Sequence, residues 1–417
     1  MPSVKIPFSP PFIDQSVIKE VIDTLASKWI TTGPKVVEFE NEIVNLTTAK
    51  AAVCVNSWTS GAILMLKWFG IKEGDEVIIP AYTYCATALC VLHCGARPVM
   101  VDVDADCCIS AQAVLQAITC KTKAIIAVDI AGWPCDYGAL NQIINRPEIV
   151  NLFEATNDKQ AALGRILLIA DAAHSLGATI HGVAASKEAD VAIFSFHAVK
   201  NITTAEGGAI CLNLPSKFNV EQEYRYLKMF TLNGQTKDAF TKSTGGGWRY
   251  DILFQGLKIN MPDVCAAIGL AQIKKYSDVL LPLRKLVALK YLKGFREMDW
   301  FIAPSLIDGN RETSYHLYSL RIKRISELQR DQIIEDITGQ GVSVNVHFIP
   351  LPMLTLFKSL GYNIVDYPVA YAQYANEISL PIYPQLSNAE VDFIIETVAN
   401  AVNKQIGCLK TSSVTQF

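Results

Sequence analysis

A chain of 417 residues, half of them apolar, can bury a large core, and its length suits two domains better than one compact unit. A formal charge of −3, from 37 Lys and Arg against 40 Asp and Glu, gives no strongly basic face and speaks against nucleic acid as a partner. Eleven cysteines, an odd number without any C-x-x-C spacing, lie largely inside apolar runs (Cys54, Cys85, Cys90, Cys94, Cys211, Cys265) and read as small buried hydrophobes, not as disulfides or metal ligands.

The opening MPSVKIPFSPPF has no basic region followed by an apolar stretch, and no later segment approaches about 18 uninterrupted apolar residues. A cytoplasmic protein with no membrane contact is expected, and the N-x-[ST] triplets at Asn45 and Asn201 are then chance matches. From residue 50 short β-branched runs alternate with longer segments of helical spacing, the mark of α/β architecture. Strands are predicted at 52–55, 76–79, 98–103, 124–129, 166–170, 191–196 and 209–212, each nearly continuous in apolar residues as a parallel sheet covered on both faces requires. The polar stretch 145–164 is long for a helix-to-strand connection and reads as a surface excursion.

After about residue 265 the rhythm changes. A long amphipathic helix over 262–293 leads to the strand-like SYHLYSLRI, a helix near 327–340, and VSVNVHFIP. These predict a smaller α+β domain, residues 261–417, after a large α/β domain, residues 1–260. The terminal LKTSSVTQF is polar and expected to fray.

Three polar clusters stand where predicted strands end: NSWTSGA at 56–62, ADAAHSLGA at 170–178 and SFHAVKNITTAEGGA at 195–209. Ligands of open parallel sheets gather at the carboxyl ends of the strands, so the three clusters point toward one pocket. A serine hydrolase is excluded despite Asp171, His174 and Ser195, because no G-x-S-x-G elbow occurs and Asp and His lie only three residues apart. Neither G-x-x-x-x-G-K-[ST] nor G-x-G-x-x-G is present, which removes the nucleotide phosphate loops.

The order of these clusters, with TTGPKVVEFE, GDEVIIPAYTYCATA, GARPVMVDVD, TKAIIAVDIAGWPCD, NVHFIPLP and ISLPIYP, resembles the DegT/DnrJ/EryC1/StrS family of nucleotide-sugar aminotransferases over nearly the whole chain. The resemblance implies the pyridoxal-phosphate-dependent transferase fold of type I, with a mostly parallel seven-stranded sheet. It implies that Lys200 carries the cofactor, that Asp171 pairs with its pyridinium nitrogen, and that His174 contacts it. Ser57, Thr59, Ser60 and Ser195 would hold the phosphate, since hydroxyls and first-turn N–H groups suit an anion, and Tyr84 would stack on the ring. GLKIN, with Lys258 and Asn260, matches a segment that in the family crosses a homodimer interface to the partner's phosphate site. His316 and His347 are placed along the sugar-nucleotide channel. Relatives usually carry a small residue where this chain has Trp58.

A dehydratase branch of the family replaces the lysine by histidine, so Lys200 speaks against it, and retention of Lys200 with Asp171 speaks against a regulatory protein that only binds cofactor or sugar. The expected partners are L-glutamate as amino donor and a nucleotide-linked keto sugar. SFHAVKNITTAEGG and GLKIN resemble the carbon-4 aminotransferases more than those acting at carbon 3.

Overall fold

The computed structural model describes residues 5–237 and 248–412, with side chains to residue 407 at the C-terminal end. Its main sheet is built from β1 (Ala51–Val55), β2 (Glu76–Pro80), β3 (Arg97–Val101), β4 (Thr122–Val128), β5 (Leu167–Asp171), β6 (Val191–Ser195) and β7 (Gly208–Leu212). These match the seven predicted runs to within two residues at either end. The spatial order is β1-β7-β6-β5-β4-β2-β3, and β7 alone runs against its neighbours. Every residue of β2, β4 and β5 is buried, because helices cover both faces.

Helices α1 (Gln15–Ala26), α2 (Pro34–Thr47), α3 (Trp58–Trp68) and α4 (Ala86–His93) belong to this layer system. Asp14 caps α1 by accepting from the N–H of Ser16 and Val17, and Ser57 caps α3 by accepting from that of Ser60. The connection 145–164 is less of an excursion than its polarity suggests. It forms short helices at Pro147–Leu152 and Asp158–Leu163, and its buried Gln160 donates to the Phe69 carbonyl at 2.9 Å beyond the end of α3.

The single long helix expected over 262–293 is instead two. α5 (Asp263–Ile273) packs on α1 and α2, a π-helical turn spans Tyr276–Leu280, and α6 (Leu281–Phe295) then begins. Pro282, without an N–H to donate, sits in the first turn of α6, where the loss matters least. Beyond it, β8 (Phe301–Ile302), β9 (Tyr318–Ile322) and β10 (Glu377–Leu380) form an antiparallel sheet, flanked by α7 (Glu327–Gly339) and α8 (Asn388–Ser412). Val287, Tyr291, Leu320, Ile333, Ile378 and Val398 form part of a second hydrophobic cluster there, joined by Ile6 from the N-terminal segment. No helix among the described residues is long and apolar enough to cross a membrane.

Three local expectations change. Only Tyr318–Ile322 of SYHLYSLRI is strand, since Tyr315 takes a positive φ of 55° and separates it from Arg311–Glu312, which pairs with Thr179–Ile180 in a small sheet of its own. VSVNVHFIP makes only isolated bridges, Ile6 with Val342 and Asn345 with Ser379. The backbone of α8 continues through the first four residues of LKTSSVTQF, and 413–417 lie outside the described residues.

Candidate active site

The carboxyl ends of β1, β5 and β6 converge on a cavity of about 460 Å³. Ser57 and Thr59 line it from the β1–α3 turn, Asp171 and His174 from the end of β5, and Ser195 and Lys200 from the end of β6 and the loop that follows. Tyr84, His316 and His347 also line it, so nine of the predicted site residues meet in one place. Ser60 does not line the cavity; its hydroxyl accepts from Ser57 Oγ at 2.9 Å within the cap of α3.

Lys258 and Asn260 stand outside the cavity of their own chain. GLKIN runs beside the end of β1, where the Asn56 N–H donates to the Ile259 carbonyl at 2.8 Å, and Lys258 Nζ donates to Asn260 Oδ1 at 2.7 Å on the protein surface. Tyr84 is 59 % exposed at the rim, its ring centroid 5.6 Å from that of Phe348. His174 follows Asp171 in a succession of turns instead of a helix, yet both reach the same space. Asp171 is therefore no helix cap.

The close approach of β7 to the β1–α3 turn accounts for one glycine of the lysine cluster. A Cβ on Gly208 would lie 2.7 Å from the Phe194 carbonyl oxygen and 2.8 Å from the Trp58 nitrogen. No larger residue fits without moving backbone.

Asp171 is the electrostatic centre of the floor. Burial pushes its carboxyl up to about 7, against opposing hydrogen bonds from the Thr87 hydroxyl at 2.9 Å and the Ala173 N–H at 3.2 Å and the nearby charge of Lys200. Burial likewise lowers the Lys200 amine to about 8, with Asp171 opposing the shift. The imidazoles of His174 and His316 are held well below their usual range by burial, and His347 is lowered to about 4. All three rings are neutral at neutral pH.

Thr87 was not singled out from the sequence, although it lies in the quoted AYTYCATA segment. Phe8, from the N-terminal segment, and Phe348 also line the cavity unannounced. The sequence signal for Phe348 was its place beside His347 in NVHFIP; Phe8 had none.

An amine and a carboxylate that face one cavity from adjacent strand ends of such a sheet, beside a capped helix N-terminus, define the fold-type-I class of pyridoxal-phosphate-dependent enzymes. The residues fit that cofactor. Asp171, buried and under-compensated by its protein partners, calls for a cationic donor, and the first turn of α3 with Ser57 and Thr59 offers an anion its N–H and hydroxyl groups.

The family model described as the DegT/DnrJ/EryC1/StrS aminotransferase family matches residues 11–399, and the chain belongs to that family. Similar solved structures include Spr1654 of Streptococcus pneumoniae, assigned as a sugar aminotransferase. Its form with pyridoxamine phosphate has a TM-score of 0.92 and 42 % identity over 96 % of this chain and 100 % of that one. Its pyridoxal-phosphate form matches at 0.91. MJ1066 of Methanocaldococcus jannaschii is 36 % identical over 95 % of this chain and 98 % of its own length. The spore coat polysaccharide biosynthesis protein SpsC of Bacillus subtilis is 34 % identical over 95 % and 97 %. The chain is a pyridoxal-phosphate-dependent sugar aminotransferase.

Proposed function

We propose that the protein transfers the amino group of L-glutamate to carbon 4 of a nucleotide-linked 4-keto sugar, within the assembly of a cell-surface glycan. The observation that carries the reading is the pairing of Lys200 with Asp171 across one cavity, with their proton affinities drawn toward each other by burial. Similarity to a spore coat polysaccharide protein supports the pathway class. The resemblance of SFHAVKNITTAEGG to carbon-4 enzymes supports the position on the sugar.

When bound, pyridoxal phosphate supplies a carbonyl carbon that captures amines and a ring that accepts the electron pair released at the donor carbon. Lys200 would hold the cofactor through its amine, and that amine, once free, would take the proton from the donor's Cα as the general base. An amine lowered to about 8 is partly unprotonated near neutrality, as a base needs to be. Asp171 keeps the ring nitrogen protonated, and Thr87 fixes the carboxylate that does so. Ser57, Thr59 and Ser195 hold the phosphate, with Ser60 acting through Ser57, while Tyr84 and His174 confine the ring.

His316 and His347 meet the sugar. His316 has a defined proton: Asn201 donates its amide to the Tyr276 hydroxyl and the Ser314 carbonyl, so its oxygen takes the His316 Nδ1–H at 2.9 Å. We assign Lys258 and Asn260 to the partner subunit's site in a homodimer, consistent with their position outside the cavity of their own chain. The protein with cofactor should lose its visible absorbance on adding L-glutamate and regain it on adding dTDP-4-keto-6-deoxyglucose or its UDP counterpart, and NMR of the product should place nitrogen on carbon 4. Turnover of the 3-keto isomer with none of the 4-keto sugar overturns the position; no response to glutamate overturns the reading as a whole.

A further inference from the structure

His347 is fixed at every atom but one. Its N–H donates to Glu377 Oε2 at 3.1 Å and its carbonyl accepts from the Tyr82 hydroxyl at 2.6 Å. One face of its ring stacks on Phe8 with centroids 5.5 Å apart, and Phe348 meets it edge-on at 4.9 Å. Nδ1 lies 2.9 Å from Ser379 Oγ, and Ser379 Oγ lies 2.5 Å from Glu377 Oε1. Among the described residues none hydrogen-bonds its Nε2, on a ring that lines the cavity.

Glu377 and Ser379 are two apart on β10 and so share one face of it. Both are buried, at 2 % and 0 % exposure. An ionised carboxylate only accepts, so the single hydroxyl proton of Ser379 goes to Glu377 and the Ser379 oxygen must accept from His347 Nδ1–H. The neutral ring then carries its lone pair on Nε2.

We propose that Glu377 and Ser379 are positioning residues that set the tautomer of His347, so that its Nε2 accepts a hydrogen bond from a hydroxyl group of the acceptor sugar. A neutral acceptor cannot pair with a keto oxygen, a carboxylate or a phosphate, all of which only accept. Of the two substrates the sugar is the one rich in hydroxyl donors. The relay therefore selects for a hydroxyl on the ring and leaves the amino donor's carboxylates unrecognised. The inference rests on the reading of the protein as a sugar aminotransferase.

Glu377→Gln tests it with almost no change of shape. The backbone N–H of His347 retains the amide oxygen, which turns the amide NH₂ toward Ser379. Ser379 then accepts from Gln and donates to Nδ1, and the ring proton moves to Nε2. Burial raises Glu377 to about 7 against the opposing donors Ser379, His347 N–H and Ser319 and the charge of Arg330, so the measurements belong at pH 8, where it is ionised.

Histidine ¹⁵N chemical shifts of the holoenzyme, with His347 assigned through His347→Gln, should show Nε2 unprotonated in the wild type and protonated in Glu377→Gln. With dTDP-4-keto-6-deoxyglucose or its UDP counterpart, whichever the wild type aminates, KM for the sugar should rise about 10- to 100-fold in Glu377→Gln, the loss of a hydrogen bond replaced by donor against donor. Ser379→Ala should raise it about 10-fold. The half-reaction with L-glutamate should stay within about twofold of wild type in both variants. Nε2 protonated in the wild type overturns the proposal, as does an unchanged sugar KM in a variant whose tautomer has switched. Failure of the wild type to react with glutamate would sink the aminotransferase reading instead, while the ¹⁵N result would still report on the relay.

Discussion

Asp171 and Lys200 stand at and just beyond the ends of two neighbouring strands of one sheet, whereas His316 and His347 reach the same cavity from segments more than a hundred residues later, anchored to Asn201 and Ser379. The floor owes its geometry to a regular ladder, in which β5 and β6 keep register from Ile169 opposite Val191 to Asp171 opposite Ile193. The wall owes its geometry to side-chain hydrogen bonds between irregular segments. A parallel ladder fixes positions by backbone bonds that many apolar sequences can make, so the direction of the floor's strands does not hang on single side-chain contacts. The wall has no such redundancy, and each polar contact in it decides where a ring points.

Breaking the floor should cost most. Lys200→Ala should lose the visible absorbance of the bound cofactor and lower kcat by on the order of 10⁴-fold in a coupled glutamate assay; retained turnover would remove Lys200 from the chemistry. Asp171→Asn should bind cofactor and lose on the order of 10²-fold in kcat. It should also alter the pH dependence of the cofactor-free protein. The folded carboxyl, raised to about 7 from 3.8, holds its proton where the unfolded one has lost it, so its contribution to stability falls as pH rises between those values. The difference between Tm at pH 8 and Tm at pH 5 should shift upward in the variant relative to wild type, on a background in which Asp129 and Glu377 act in the same sense as Asp171 and the lowered His174, His316 and His347 act against them.

Breaking the wall should appear first as stability. Arg284 is buried at 2 % exposure and donates to the carbonyls of Tyr315, His316 and Ile382. Arg284→Met leaves these acceptors unpaired and should destabilise by about 3 kcal/mol in urea unfolding, with a loss of sugar affinity greater than that of glutamate. Thr87→Val sharpens the comparison from the floor side, since it removes a hydroxyl without moving the ladder. A roughly tenfold fall in kcat is expected with a destabilisation of about 1 kcal/mol in urea unfolding, and a loss of stability without a fall in kcat would assign Thr87 to packing. The smallest effect is expected at Trp58, whose buried Nε1 has no hydrogen-bond partner among the described residues. Trp58→Phe should leave activity intact and change stability by no more than about 1 kcal/mol, since the unpaired donor lost offsets the apolar area lost.

Much of the floor could be read directly from the chain. Continuous apolar runs announced all seven strands, and the polar residues just beyond them marked the ligand edge, because ligands of open parallel sheets gather at the carboxyl ends of the strands. Helix breaks were harder to see: apolar spacing continues through Lys274 and Lys275, and Pro282 only ends one helix once another can begin. The wall was named by resemblance alone, as two histidines in strand-like segments. That Ser379 and Glu377 stand behind His347, that Asn201 meets His316, and that Phe8 closes over the ring depend on distances across the fold that no local pattern encodes.

The sequence by itself determined the sheet and its ligand-binding edge, since these follow from hydrophobic runs and the polar residues that terminate them, while resemblance to the family singled out Lys200 and Asp171 at that edge. Only the tertiary structure decided the proton affinities of those groups and the direction in which the histidines present their nitrogens. Both depend on burial and on hydrogen-bond partners that lie from 30 to 115 residues apart in the chain, and neither quantity exists until the chain has folded.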